Sequence, residues 1–304
     1  MSDRIRSGIY FHGPRMRYSE VDQGRSGPKL LRLGSCDFDF DAEHALLAGP
    51  ERQLDTIREA VGDVFSGSQS VDVSVVLSAT SVISFFSPVS DSASEDEKRQ
   101  QLEADTVLIG GHGSALSVVA EPVSTVRRNG DEIVTWYHVA AVPVGMRRRV
   151  SGVLSPFSDA RHRFTTSLQA GARVAGRLES LAAESSELAA SSAAAVGMFD
   201  SHTEISILRS GKWLFGSTLP SSLQSDVAYA ILNLVDRSGV GRDDFCRIHT
   251  YGDVKRESDA ATIGAATAAE VKRMNPLNLF RGGPVKEQHG FDPSDYALCV
   301  GAAL

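Results

Sequence analysis

The chain has 304 residues, with 31 Lys and Arg against 38 Asp and Glu, a net charge of −7. That length supports a sizeable core and usually two domains. The negative balance argues against a nucleic-acid protein, whose affinity comes mainly from phosphate contacts by Lys and Arg, and no window approaches the roughly 20 apolar residues of a membrane span.

The first element is "GIYFHGPRMRYSEV", Gly8 to Val21, two strand-like runs around the turn signal His12-Gly13-Pro14. A loop over Gly24 to Pro28 leads to "KLLRLGSCDFDF", a third strand, so three strands make a meander. Pro50 opens a helix in which Leu54, Ile57, Val61, Val64 and Phe65 form one apolar stripe. "VDVSVVLSATSVISFFSPV" is β-branched and aromatic and reads as two short strands. Ser94 and Glu97 then make a capping box for an acid-rich helix. Asn129-Gly130 joins two strand-like runs as a hairpin, and "GMRRRVSGVLSPF" predicts a helix after it. Residues 71–160 therefore predict a small α/β subdomain inside the first domain.

Arg173 to Leu178 reads as a strand and Glu179 to Ala190 as an Ala-rich helix. The Ala, Ser and Glu run from Ala182 to Ala195 is a helix with a mobile end or a flexible connection. A second meander follows: "AAAVGMFDS", then "HTEISILRSGKWLFGSTLP" around Ser210-Gly211. Ser221 and Gln224 predict a capping box for a helix carrying Leu223, Val227, Ile231 and Leu234 on one face. "FCRIHTYGD" is a strand, "ATIGAATAAEVKRM" reads as a helix, and "YALCVGAAL" closes the chain as a small-residue helix.

Two meanders, each followed by helices and strands, suggest an internal duplication. The residues at this point resemble the PilM-like pilus-assembly proteins of the actin-like ATPase superfamily. That family's second phosphate hairpin reads V-D-I-G-x-x-x-T, a strand, N-G-K, and a strand ending in I-P. Here Val196 to Pro220 matches at Ser210-Gly211-Lys212 and Leu219-Pro220. Asn275-Pro276 and the ending Gly301, Ala303-Leu304 resemble the family's closing segment. "VAGRLESLA" places Glu179 at the glutamate that precedes the second hairpin. The similarity runs along nearly the whole chain. It implies an α/β, actin-like ATPase (ribonuclease H-like) fold: domain I over 1–190, with an inserted subdomain at about 71–160, and domain II over 191–304.

The same resemblance exposes departures. The family's first hairpin reads G-I-D-I-G-S-x-x-I-K. Tyr10 stands at the aspartate that organises magnesium, His12 at the glycine that admits phosphate, and Arg17 at the lysine. In the second hairpin Gly197 replaces the aspartate and Phe199 the glycine. The Gly-Gly that meets adenosine is Tyr251-Gly252-Asp253. Phosphoryl transfer depends on a metal held by carboxylates and phosphates, and on close backbone approach. The nucleotide cleft is therefore degenerate. Its candidate residues are Gly13, Arg17, Glu179, Asp200, Ser201, Thr203 and Gly252, with ATP and Mg²⁺ as possible ligands and no dedicated metal site. Asp200, Asp253 and Glu179 are the carboxylates that could substitute for the lost ones, although Asp200 also reads as a turn cap.

Other signals have plainer readings. His12 is expected to face solvent at its turn, and the basic run Arg147-Arg148-Arg149 to be a solvated helix face. Gly110 to Ser114 resembles a phosphate loop only in composition. Trp136 and Trp213 read as packing residues. Cys36, Cys246 and Cys299 suit a reducing compartment, and Cys246 with His249 has no second ligand pair. "MSDRIRSG" lacks an apolar stretch of signal-peptide length, so a cytoplasmic protein is expected, peripheral at the inner membrane through a partner. The resemblance implies a catalytically silent scaffold of a pilus or secretion complex. It would bind a short cytoplasmic peptide of a membrane-spanning assembly protein, in a groove between core and inserted subdomain. The competing reading is an active actin-like ATPase with substituted ligands, and a third is a self-associating filament former.

Overall fold

Gly13, with φ of +52°, turns Ile5–His12 (β1) back on Arg15–Asp22 (β2), and Lys29–Asp37 (β3) completes the meander. The computed structural model of the chain describes residues 4–25, 27–111, 115–127, 132–184, 192–220, 223–252, 257–280 and 291–304. Helices Ala42–Ala48 (α1) and Glu51–Val64 (α2) follow. They lead to Asp72–Leu77 (β4), which runs parallel to β1 and is buried at every position. Burial at every position is what a parallel strand covered from both sides shows, with Val73, Val75 and Leu77 on one face and Asp72, Ser74 and Val76 on the other.

Ile83–Ser90 (β5), Leu116–Arg127 (β6) and Ile133–Pro143 (β7) form a separate antiparallel sheet in the order β5-β7-β6. Glu95–Gly110 (α3) packs on it, and both hydrogen bonds of the Ser94–Glu97 capping box are present. The Asn129-Gly130 turn lies outside the described residues. Val144–Val153 (α4) returns to pack on α1 and α2, and Arg161–Thr166 (β8) pairs parallel with β4. Ser167–Glu184 (α5) leads to the second meander, Ser192–Met198 (β9), His202–Arg209 (β10) and Lys212–Pro220 (β11). Gln224–Arg237 (α6), Phe245–Tyr251 (β12), Glu257–Thr267 (α7), Glu270–Arg273 (β13) and Ala297–Ala303 (α8) complete the chain. The Ser221 half of the second expected capping box lies outside the described residues.

The two five-stranded sheets have the orders β3-β2-β1-β4-β8 and β11-β10-β9-β12-β13. Each is an antiparallel meander whose first strand gains one parallel neighbour, which in turn pairs with a second parallel strand, and each parallel step is made by a crossover that contains helices. The fold is thus α/β with one topology used twice.

Between the sheets lies a middle core built on α5 and α8, which takes Tyr10 and Val76 from the first sheet and Ala195, Leu208 and Tyr251 from the second. There α8 approaches both β1 and α5 at backbone distance. A Cβ on Gly8 would fall on the Cys299 carbonyl, and one on Gly301 would come within 2.7 Å of the Ala170 carbonyl carbon. Outer cores cover the far faces. Ile9, Val73 and Val75 are fully buried in one, Ile205, Ile207 and Ile231 in the other. Each such side chain contributes roughly 1.5–3 kcal/mol by leaving water.

An aromatic seam ties the third sheet to β11. Phe86 lies 5.3 Å from Trp213 and 4.5 Å from Phe215, and His138 lies 5.0 Å from Trp213, between ring centroids. Ser124 donates across the same seam to the Leu214 carbonyl. Trp136 and Trp213 are packing residues here, as read from sequence.

Local readings failed at two joints. The expected strand over Arg173 to Leu178 lies inside α5, because Ala170, Val174, Ala175 and Leu178 face the middle core at helical spacing. The strand of that region is β8, just upstream. The helix expected through Met274 stops at Thr267. Ala268 adopts φ of +55°, and the next residues pair with β12 as β13. The basic run is not wholly solvated. Arg149 donates to the carbonyls of Ala45 and Gly49 at the end of α1, and Arg147 lies over the Phe164 ring.

Candidate functional site

The turns of β1–β2 and β9–β10 face each other at the cleft where the two sheets meet. Rings occupy that cleft. Tyr10 stacks on His12 at 5.8 Å, His12 meets Phe199 at 5.6 Å, and Phe199 stacks on His202 at 4.6 Å and meets Tyr251 edge-on at 6.1 Å. These separations are van der Waals contacts between aromatic rings. His12 is therefore not a solvent-facing turn residue: it packs between two rings, with Nδ1 3.4 Å from Glu43.

Tyr251 is the centre of the plug. Its ring lies between two glycines on different elements. A Cβ on Gly197 of β9 would meet the ring at 2.6 Å, and one on Gly171 of α5 at 2.7 Å from a ring carbon. Its hydroxyl donates to Glu204 at 2.9 Å. Glu204 is fully buried in β10 and is also contacted by the Ser167 hydroxyl and by His202 Nε2 at 3.2 Å. A buried carboxylate needs such partners to offset its lost hydration. Burial and the adjacent Glu204 charge push the Tyr251 hydroxyl pKa well above its ordinary value, so it stays a donor.

The candidate residues read from sequence divide between this plug and its margins. Gly13 forms the first turn, and Ser201 hydrogen-bonds His202 Nδ1 at 2.9 Å. Thr203 is buried opposite Met198 in the second hairpin. Asp200 is exposed. Gly252, at φ of +96°, packs on the Met198 backbone. Arg17 is buried and turned away from the turns, 3.9 Å from Asp295 beside α8. Asp253 lies outside the described residues.

Glu179 is separate from the plug. It is buried on α5 between Arg247 Nη1 at 2.8 Å and His249 Nε2 at 2.7 Å. Burial pushes its pKa up, but the hydrogen bonds and charges of His249 and Arg247 outweigh that and hold the carboxyl below the ordinary glutamate range. A depressed folded pKa contributes stability above the unfolded value, near 4.5, and that stability is lost as pH falls through the folded value. Glu179→Gln is expected to cost about 2–3 kcal/mol at pH 7, because a neutral amide takes the carboxylate away from the Arg247 guanidinium and the His249 ring. Urea melts should show the gap narrowing below pH 4.5; a gap independent of pH would contradict the assignment.

His202 and Glu204 were not singled out from the sequence. The available signal was "HTEIS", where charged residues alternate onto the inward face of a strand. Cys246 and His249 do not share a ligand site. Cys246 donates to the Ser192 carbonyl and His249 bonds Glu179, and among the described residues no group of three His, Cys, Asp or Glu is placed to hold a metal.

A nucleotide with magnesium does not fit this arrangement. Phosphate recognition between two turns needs open backbone N–H groups and a carboxylate-held metal. Here Phe199 and His12 touch across the gap, and the volume of a side chain at 197 is taken by Tyr251.

A groove opens elsewhere, between the first sheet, α5 and the third sheet. One cavity of about 360 Å³ is lined by Glu121 of β6, Gln169, Arg173 and Arg177 of α5, and Trp213 of β11. A second of about 180 Å³ is lined by Arg6, Asp72, Arg163 and Phe164. Both share Glu121, Arg173 and Leu304. Among the described residues no helix is long and apolar enough to cross a membrane.

No protein-family model matches the chain, and no curated protein does. Among solved structures, the PilM–PilN type IV pilus biogenesis complex aligns over 98% of this chain and 97% of that one, with a TM-score of 0.70 and 14% identity. A Bacteroides thetaiotaomicron protein with actin-like ATPase fold and unknown function aligns over 90% of this chain and 92% of its own, with a TM-score of 0.50 and 12% identity. The chain has the actin-like ATPase fold.

Proposed function

We propose that this actin-like chain is a non-catalytic scaffold of a bacterial pilus or secretion inner-membrane complex. It holds a short cytoplasmic peptide of a membrane-spanning partner in the groove between the first sheet and the third. The observation that carries the reading is the filled cleft. Tyr10, His12, Phe199 and Tyr251 sit where an actin-like ATPase needs glycines and carboxylates. A merely eroded site would leave a vacancy; here the substituted residues pack against one another and surround a satisfied buried carboxylate, Glu204. Such packing favours a shape kept for stability and docking over one kept for turnover. The likeness to the PilM–PilN complex supports the kind of assembly, and the groove supports the mode of docking. In this reading 1–190 and 191–304 are the two actin-like units, and the protein sits at the cytoplasmic face of the inner membrane through its partner.

Titration calorimetry with ATP tests it. No heat is expected at high micromolar protein, with or without Mg²⁺. Magnesium-dependent binding would sink the scaffold reading and favour an ATPase with substituted ligands.

A further inference from the structure

The groove is more basic than the chain as a whole. The chain is net −7, yet the charged residues lining the two cavities are Arg6, Arg163, Arg173 and Arg177 against only Asp72 and Glu121. Asp72 is buried, and three guanidinium groups converge on it: Arg161 at 2.8 Å, Arg163 at 3.3 Å and Arg6 at 3.7 Å. One carboxylate cannot neutralise three cations. Glu121 is already engaged by Arg173 at 2.6 Å and by Gln169. Arg177 lines the larger cavity, is exposed, and has no charged or hydrogen-bonding partner among the described residues. Arg147 adds a further cation over Phe164, which lines the smaller cavity.

His138 senses the same field. It lies opposite Glu121 across the β6–β7 ladder, so the two side chains share a face. Its Nε2 is buried without a hydrogen-bond partner, and burial, reinforced by the Arg173 charge, lowers its pKa to about 4. The histidine therefore stays neutral and the positive charge remains on the arginines at the mouth.

We infer that the occupant of this groove is an acidic peptide segment, which presents Asp or Glu side chains to Arg177 and to the Arg161–Arg163 pair. The inference rests on the groove being the peptide site. Carboxylates match guanidinium forks in geometry as well as charge. The two cavities share walls, which suits an extended chain more than a compact ligand. β8, which carries Arg161 and Arg163, is the edge strand of its sheet, so a main chain laid along it can also add backbone hydrogen bonds.

The test uses the full chain and an array of randomised octapeptides. Solution affinities of the retained peptides are then read by Trp213 emission in a Trp136→Phe background. Retained peptides are expected to be enriched in Asp and Glu at one or two positions and to bind less tightly as salt rises. Arg177→Glu, at an exposed position that leaves the fold intact, should weaken them by about tenfold. Arg163→Gln should weaken a second acidic position. A retained set that is neutral or basic, quenches Trp213 and ignores Arg177→Glu would overturn the inference while leaving the groove as a peptide site. No retained peptide at all would overturn both.

Discussion

Gly197→Asp, which restores the carboxylate of an actin-like phosphate hairpin, is expected to destabilise the protein by about 3 kcal/mol or more without creating nucleotide affinity. The new Cβ would sit 2.6 Å from the Tyr251 ring. The ring cannot retreat, because Gly171 backs its other side and its hydroxyl is tied to Glu204. The carboxylate would also lie beside a second, fully buried one. For a chain of 304 residues that cost lowers the melting temperature by roughly 5 °C. Gly197→Asp with Tyr251→Gly should regain part of the loss, since the obstacle leaves, although Glu204 Oε2 then loses the Tyr251 hydroxyl. Thermal melts of the single and double variants decide it. A Gly197→Asp protein that melts like the parent would show that Tyr251 does not fill that space.

Gly301→Ala should cost about 2–3 kcal/mol, large for the addition of one methyl group. The methyl would come within 2.7 Å of the Ala170 carbonyl carbon and 3.0 Å of its Cα, so only backbone movement can admit it. Moving α8 also strains three hydrogen bonds to its carbonyls, from Ser19 to Cys299, from Gln23 to Ala303 and from Arg6 to Leu304. Gly145→Ala in α4 is the control. Its Cβ meets nothing within 4 Å, and helix propensity favours alanine by about 1 kcal/mol. Urea denaturation of the pair should separate them in opposite directions; equal midpoints would refute close packing of α5 on α8.

These variants also mark where the sequence was legible. Local signals were reliable where local physics decides. The Gly13 turn, the Ser94 capping box and the stripe of Leu54, Ile57 and Val61 each became the expected element. β8 was hidden because "RHRFTT" alternates arginines around a buried edge and carries little apolar pattern. α5 was misplaced because its buried face is built from Ala and Gly, whose spacing says little about helix or strand. The departures in the hairpins were visible as substitutions, but their meaning was not. Gly197 records only a missing side chain; that a tyrosine 54 positions away fills its place is a tertiary fact. Glu204 was overlooked for a related reason, since its partners Ser167 and Tyr251 come from distant elements.

The seam between Phe86, His138, Trp213 and Phe215 bears on mechanics. Nucleotide-driven actin-like machines depend on lobes that rotate about a hinge. Here rotation would have to part rings at the cleft and again at the seam, each pair holding about 0.5–1.5 kcal/mol beyond its buried area. A load applied to the third sheet therefore passes directly to the second five-stranded sheet, as through a strut. Association with a partner should then follow single-step kinetics, with the rate of rigid bodies meeting and no slower rearrangement behind it.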